Sequence, residues 1–305
     1  MKIGRFLFPT QSVALTVDEI VRAEEDGFHS VWLPQIFGWD PLTALALAGP
    51  RTSRLKFGTA VVPLYPTHPL LMAASAATTQ SATDGRFTLG VGASHRFMVE
   101  NVWGYDFDRP IGYTREYLRV LAPAMRGEAV NLVGSQIQAQ LPRPLDLPDV
   151  SAPPVLLAAL GERMLQTAGE LCDGAVTWLT GVDTLGNFVV PTLNRAAAKA
   201  GRPQPTVVAG LPICVTSDAS AARDRARTLF AAYTDVPSYR TVLDRERAAH
   251  PADVAVIGDE TAVAAQVAAL AAAGASEFIA HIFGTPEEQR RTTRLLEDLI
   301  RDGEF

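Results

Sequence analysis

Basic residues are the scarcer charge in this 305-residue chain: 27 Lys and Arg stand against 33 Asp and Glu, a formal net charge of −6. Nucleic-acid binders concentrate Lys and Arg, so that partner class is not expected. Cysteine is nearly absent. Cys172 and Cys214 form neither a metal-ligand spacing nor a disulfide framework, and both read as buried structural thiols. No apolar run approaches membrane-spanning length, and the opening MKIGRFLFP lacks a signal peptide's cleavage region. The expectation is a cytoplasmic protein with no membrane contact. Self-sufficient catalytic signatures are missing too. None of the five histidines sits in HExxH or another metal spacing, and there is no GxSxG elbow or P-loop. In GVGASH, His95 stands where a dinucleotide loop needs its last glycine. These absences point to a bound cofactor as the source of the difficult chemistry.

What is present is a long alternation of apolar runs and amphipathic stretches, with 48% hydrophobic residues overall. Lys2–Phe8, Ser30–Leu33, Leu55–Val62, Phe87–Val91, Val155–Ala159, Ala175–Trp178, Thr206–Val215 and Glu277–Ile282 read as strands. Most are continuous apolar runs, the pattern of parallel strands covered on both faces. Helices are expected between them, among them Leu15–Asp26, Pro69–Thr83, Arg163–Leu171, Leu185–Ala200 and Pro286–Arg301. Pro69 suits a first helical position and Asp84-Gly85 a turn. Near eight βα units favour a closed (β/α)8 barrel over an open doubly wound sheet, as one domain over residues 1–305. Two excursions break the rhythm: 127–154, with a hairpin pattern over Ala129–Gln140, and a less regular 233–256.

In such folds ligands sit beyond the carboxyl ends of the strands. His95 and Ser94 follow the Gly90-Val91-Gly92 strand end, where each can face a ligand or cap a helix. His68 precedes Pro69 and reads as a helix cap. Gln35 ends the second strand; its amide can orient a substrate but cannot shuttle protons at neutral pH. The helix start at Leu160-Gly161-Glu162-Arg163 and the Thr180-Gly181 turn both suit an anion, because first-turn N–H groups are unpaired there. Trp178 reads equally as core or as site. Glu100, Trp103, Tyr105 and Asp106 read as a structured surface loop.

From Gly58, the run GTAVVPLYPTHPLLMAASAATTQSATDGRFTLGVGASH resembles the luciferase-like monooxygenase superfamily: a GTxV strand, HP at a helix start, a GR turn and an LGVG strand. AALGERMLQTAGELCDGAVTWLTG resembles that family's later segment. The likeness covers nearly the whole chain and is strongest to the branch that uses the deazaflavin coenzyme F420. It implies a (β/α)8 barrel with the ring over the strand ends, a cis peptide at Ala60-Val61, and Thr59, Ala60, Val61, Gly92, Ser94 and His95 around the ring. It places the phosphate-bearing tail at the helix start Leu160, Gly161, Glu162, Arg163 and Met164 and at the Thr180-Gly181 turn, with Ala159 and Trp178 also among the cofactor-binding residues. A homodimer is also implied. Several deazaflavin dehydrogenases of the superfamily carry an Asp-His pair after strand two, where this chain has Pro34-Gln35. Hydride transfer to an activated double bond is therefore expected rather than alcohol oxidation, with His95 or Gln35 orienting a small organic substrate. Phe37, Trp39 and Tyr239 are expected substrate contacts, and 233–256 a cover. The alternatives are an FMN monooxygenase on the same scaffold and a non-catalytic cofactor-binding protein.

Overall fold

A computed structural model describes residues 1–9, 11–147 and 151–303; part of the expected excursion 127–154, at 148–150, lies outside them. Eight strands carry the fold: β1 (Lys2–Phe6), β2 (Ser30–Leu33), β3 (Lys56–Thr59), β4 (Phe87–Gly92), β5 (Val155–Ala158), β6 (Gly174–Trp178), β7 (Thr206–Val215) and β8 (Glu277–Ile282). Every neighbouring pair is parallel, and β8 pairs with β1 to close the sheet into a (β/α)8 barrel.

The helices begin where the sequence supplies acceptors for their first N–H groups. They are α1 (Val13–Glu25), α2 (Pro41–Ala48), α3 (Pro69–Ala82), α4 (Pro110–Met125), α5 (Glu162–Leu171), α6 (Val190–Lys199), α7 (Ala219–Leu229), α8 (Pro237–Glu246), α9 (Glu260–Ala272) and α10 (Pro286–Arg301). Ser12, Asp40, His68, Asp218, Asp259 and Thr285 cap six of them through side-chain acceptors. Asp84 and Gly85 both take left-handed φ values, of 51° and 71°, as the turn requires.

The strand residues alternate between two cores. One side packs outward against the helices, with Val31, Leu33, Phe57, Leu89, Val91 and Phe278 all nearly inaccessible. The other fills the barrel interior with Phe6, Trp32, Leu156, Val176, Val208 and Ile279. Gly58 permits this layer, because a Cβ there would run into the Trp32 indole.

Below that layer, at the amino-terminal ends of the strands, lies a cavity of about 270 Å³ rimmed by Lys2, His29 and Lys56 and floored by Glu277. The buried Glu277 carboxylate accepts from Trp32 Nε1 at 2.9 Å and from Ser30 Oγ. Burial pushes its pKa up, with those two donors and Lys2 pulling the other way. Glu277→Gln, which keeps the acceptor and removes the charge, is expected to leave stability at pH 8 unchanged or raise it by up to about 1 kcal/mol. Glu277→Leu leaves the buried Ser30 hydroxyl without its acceptor, while Trp32 Nε1 keeps Ser30 Oγ at 2.8 Å, and is expected to cost about 1–3 kcal/mol. Chemical denaturation of both variants measures this. Equal losses would show that the network's acceptor is irrelevant.

The two excursions differ in kind. Residues 127–154 follow a helix and contain the expected hairpin, Val130–Val133 against Gln138–Leu141. It lies along the outside of α4, where the Glu116 carboxylate accepts the N–H groups of Ser135, Gln136 and Ile137 at 2.8–2.9 Å. Residues 233–256 depart from the irregular stretch expected of them, because α8 occupies 237–246. Only Tyr239, Val242 and Leu243 of α8 are buried, so its apolar signature is short and easily missed. A three-residue strand, Val256–Gly258, then pairs with the upper end of β7.

Candidate active site

The carboxyl ends of the strands form a seat of small residues. Ala60-Val61 is a cis peptide, as the resemblance implied, and it divides the expected strand Leu55–Val62 into β3 and a short pair, Val62–Pro63, against Val91–Gly92. Backbone pairing between β3 and β4 lapses there after Gly58–Thr88. The Thr59 hydroxyl fills the gap, donating to Gly90 O at 2.8 Å and accepting from Gly90 N at 2.9 Å. Thr59 was expected against a cofactor. In the structure the residue is fully buried and its hydroxyl bonds to the β4 backbone.

Gly92 keeps the next step of the seat low, since a Cβ would lie 2.8 Å from Val61 Cγ2 and 3.0 Å from Ala158 Cβ. Ala60, Ala93, Ala158 and Ala159 continue the small-residue lining along the strand ends. Two strand ends turn through left-handed non-glycine residues, Ser94 after β4 (φ 62°) and Leu179 after β6 (φ 55°). A branched residue in that region is uncommon, and such conformations cluster at ligand-facing turns.

An aromatic wall rises on one side. Phe8 and His281 stand 4.6 Å apart, Phe6 and Trp178 5.1 Å, and Trp178 also meets Tyr233 and Phe230. Tyr233 packs on Tyr239 at 4.9 Å, and Tyr239 reaches His95 at 5.7 Å. Trp178 thus belongs to core and mouth together, and its buried Nε1 forms no hydrogen bond among the described residues. Burial carries the Tyr239 hydroxyl above the usual tyrosine range.

His281 escaped the sequence reading as a site residue. The signal was present: Glu277, Ile279 and His281 alternate along β8 on the inward face, from the buried base to the mouth. Its Nδ1 lies 3.4 Å from Phe6 O, which fixes Nδ1–H as the donor and leaves Nε2 as an acceptor. Burial holds its pKa down at about 4, so the ring is neutral at pH 7. Burial lowers His95 as well.

The remaining expected residues divide. Gln35 is half-buried at the end of β2, its backbone N–H donating to Val61 O and its side-chain amide unbonded among the described residues. Phe37 and Trp39 are 76% and 48% exposed and make no ring contact with the aromatic wall among the described residues. Arg163 and Glu162 are exposed at the start of α5, and no side chain caps Gly161 there. Thr180 and Gly181 are buried beside the Glu246 carboxylate, which accepts Thr184 N at 2.6 Å. Arg96 pairs with Glu100, and its guanidinium lies over Phe107, which makes that stretch the structured loop expected of it.

Chemically, the site is a bed of small residues at the strand ends, flanked by two imidazoles and an amide. The start of α5 beside it has no side-chain cap and offers N–H groups to an anion. Glu100, Asp106 and Asp108, in the loop after His95, bring their carboxylates together.

A family model for luciferase-like monooxygenases matches residues 1–302. The chain is 30% identical over 253 residues to a 5,10-methylenetetrahydromethanopterin reductase of Archaeoglobus fulgidus, covering 80% of this chain and 73% of that one. It is 32% identical over 174 residues to a putative coenzyme F420-dependent oxidoreductase of Mycobacterium tuberculosis, covering 53% and 49%. The fold superposes on the coenzyme F420-dependent tetrahydromethanopterin reductase of Methanopyrus kandleri with a TM-score of 0.80, at 21% identity over 98% of this chain and 97% of that one. No helix of the described residues is long and apolar enough to cross a membrane. With its barrel, its seat of small residues at the strand ends and these relatives, the chain belongs to the luciferase-like monooxygenase family and is of the oxidoreductase kind.

Proposed function

We propose that this protein is a coenzyme F420-dependent oxidoreductase that delivers hydride to an activated double bond of a small organic substrate. The observation that supports the reading is the pairing of the small-residue strand ends with Gln35, an amide at the end of β2 that can orient a substrate but cannot take a hydroxyl proton. His281, its pKa held at about 4 by burial, is a weak proton acceptor at neutral pH. Alcohol oxidation calls for a base to take the hydroxyl proton. Hydride addition to an activated double bond leaves an anion that takes its proton from water as the product meets solvent, and needs from the protein only the orientation of the two partners.

The residues fit the cofactor. Ala60, Val61, Gly92 and Ala158 would lie under the ring, Ser94 and His95 beside it, and Trp178 at its edge. The uncapped start of α5, Gly161–Met164, would hold its phosphate. When bound, the deazaflavin supplies the hydride-carrying carbon. The chain would position it, with Tyr239 excluding water and His281 Nε2 and Gln35 accepting or donating hydrogen bonds to the substrate. A homodimer is part of the same reading.

Titration of the protein with F420 and with FMN, followed by fluorescence and absorbance, tests the cofactor. Reduced F420 is then offered enones, imines and aldehydes. Saturable F420 binding with oxidation of the reduced cofactor by an enone or imine is expected. FMN binding without F420 binding would replace the reading with a monooxygenase, and F420 binding without any turnover would favour a binding protein.

A further inference from the structure

The amino-terminal end of the barrel gathers a second set of charged groups, across the interior layer from the seat. Strand register assembles it. Lys2 on β1 stands opposite Glu277 on β8, and Ser30 on β2 opposite Lys56 on β3. Gly4 makes the space, because a Cβ there would run into Ser30 Oγ and the Glu277 carboxylate. Glu277 is only 8% exposed. Its Oε1 accepts from both the Trp32 indole and the Ser30 hydroxyl, while its Oε2 accepts no hydrogen bond among the described residues. The carboxylate lines the cavity of about 270 Å³, whose walls include Phe57, Phe87, Leu156 and Val208. Room on that scale holds a small organic molecule, since one water takes about 30 Å³ of liquid.

The rim has the opposite sign. Lys2 and Lys56 are exposed there, and neither forms an ion pair among the described residues. Half-buried His29 faces both, and burial together with the two ammonium groups holds its pKa at about 4. Arg54 lines an adjoining hollow that shares Lys2 and His29. Arg86 also borders the cavity, but its guanidinium is committed to Thr83 O, Leu55 O and Gly49 O at 2.8–3.0 Å. A chain of net charge −6 thus places uncompensated cations around one buried carboxylate.

We propose that this cavity is a second binding site, one that takes a small zwitterion of the amino acid class, with its ammonium on Glu277 Oε2 and its carboxylate among Lys2, His29 and Lys56. The order of charges selects against simpler ions. A plain anion satisfies the lysines but sets a second negative group near the buried carboxylate, and a plain cation sits beside two ammonium groups. A zwitterion pairs at both ends, and a buried charge needs such a partner. The site does not depend on the cofactor reading. The packed layer of Phe6, Trp32, Leu156, Val176, Val208 and Ile279 stands between it and the strand-end seat.

Trp32 gives the site its own reporter, because its indole N–H is bonded to the Glu277 carboxylate at 2.9 Å. The full chain is titrated with glycine, β-alanine and γ-aminobutyrate, and with acetate and ethylammonium as single-charge probes. Binding is read by calorimetry and by the proton–nitrogen resonance of the Trp32 indole. At least one of the amino acids is expected to bind saturably and shift that resonance, about tenfold more tightly than acetate or ethylammonium, the scale of one charge-assisted hydrogen bond. Glu277→Gln keeps the acceptor for Trp32 and Ser30 and is expected to lose that preference. The double variant Lys2→Gln, Lys56→Gln, at exposed positions, is expected to weaken amino acids and acetate alike by about tenfold. Melting curves control for folding. A Trp32 resonance that no amino acid shifts, or a Glu277→Gln protein that binds them as wild type does, overturns the proposal. So does acetate bound as tightly as the amino acids, which would leave an anion site on the lysines alone.

Discussion

Alanine at position 90 is expected to cost the barrel more than about 3 kcal/mol, the largest loss from adding a single methyl group at the seat. The added Cβ would run into the Thr59 carbonyl oxygen, a backbone atom that no rotamer change can move. Thr59 cannot retreat, because its own hydroxyl clamps the N–H and C=O of Gly90 from the same side. The strain would spread to the cis Ala60-Val61 segment and to Gln35, whose N–H is held by Val61 O. Thermal melting and the soluble fraction measure the effect, with Thr59→Ser, which keeps the hydroxyl, expected to stay within about 1 kcal/mol of wild type. A Gly90→Ala protein that melts with wild type would show that the β3–β4 wall is not rigid.

The second large effect is on turnover. His281→Phe is expected to reduce the rate of cofactor oxidation about a hundredfold, at the lower end of what one positioned polar group contributes, while F420 affinity changes less than about threefold. Phenylalanine preserves the ring packing with Phe8, Trp178 and Phe230, so a loss confined to turnover isolates Nε2. The same variant has a pH signature. Wild-type His281 has a folded-state pKa of about 4 against 6.5 when exposed, so the unfolded chain takes up the proton first as pH falls. Its stability contribution is whole above about pH 6.5 and is lost between there and pH 4, on the order of 3 kcal/mol at the limit. His281→Phe removes that part of the acid sensitivity; His29, also held at about 4 by burial and by Lys2 and Lys56, retains its own. Unchanged turnover would remove His281 from the site.

The frame was legible because each strand is an apolar run and most helices announce themselves through a cap. Pro286–Arg301 and Thr206–Val215 fall where the residues place them. The small residues of the seat were legible for the same reason, since Gly90, Gly92, Ala158 and Ala159 lie at strand ends that any barrel would face upward. What escaped depends on contacts between distant segments. Glu246 meets Thr184 across 62 residues, and nothing local to either residue announces it. The bonds of the Thr59 hydroxyl were not legible, because the lapse in pairing that it fills arises only when two strands meet. α8 was hidden by its own composition, in which charged residues outnumber the three that are buried. His281 was readable from strand parity, but strand ends closed by glycine drew the attention first.

β7 is ten residues long, where its neighbours have five and six, and its last three residues pair with Val256–Gly258, two of them beyond the end of its pairing with β8. The rim is therefore raised on one side, and α8 crosses from that side to His95. Entry and exit are left to the low side, over β1 to β3. Any ligand lying across the strand ends would therefore meet a wall on the β7 side and an open edge on the other.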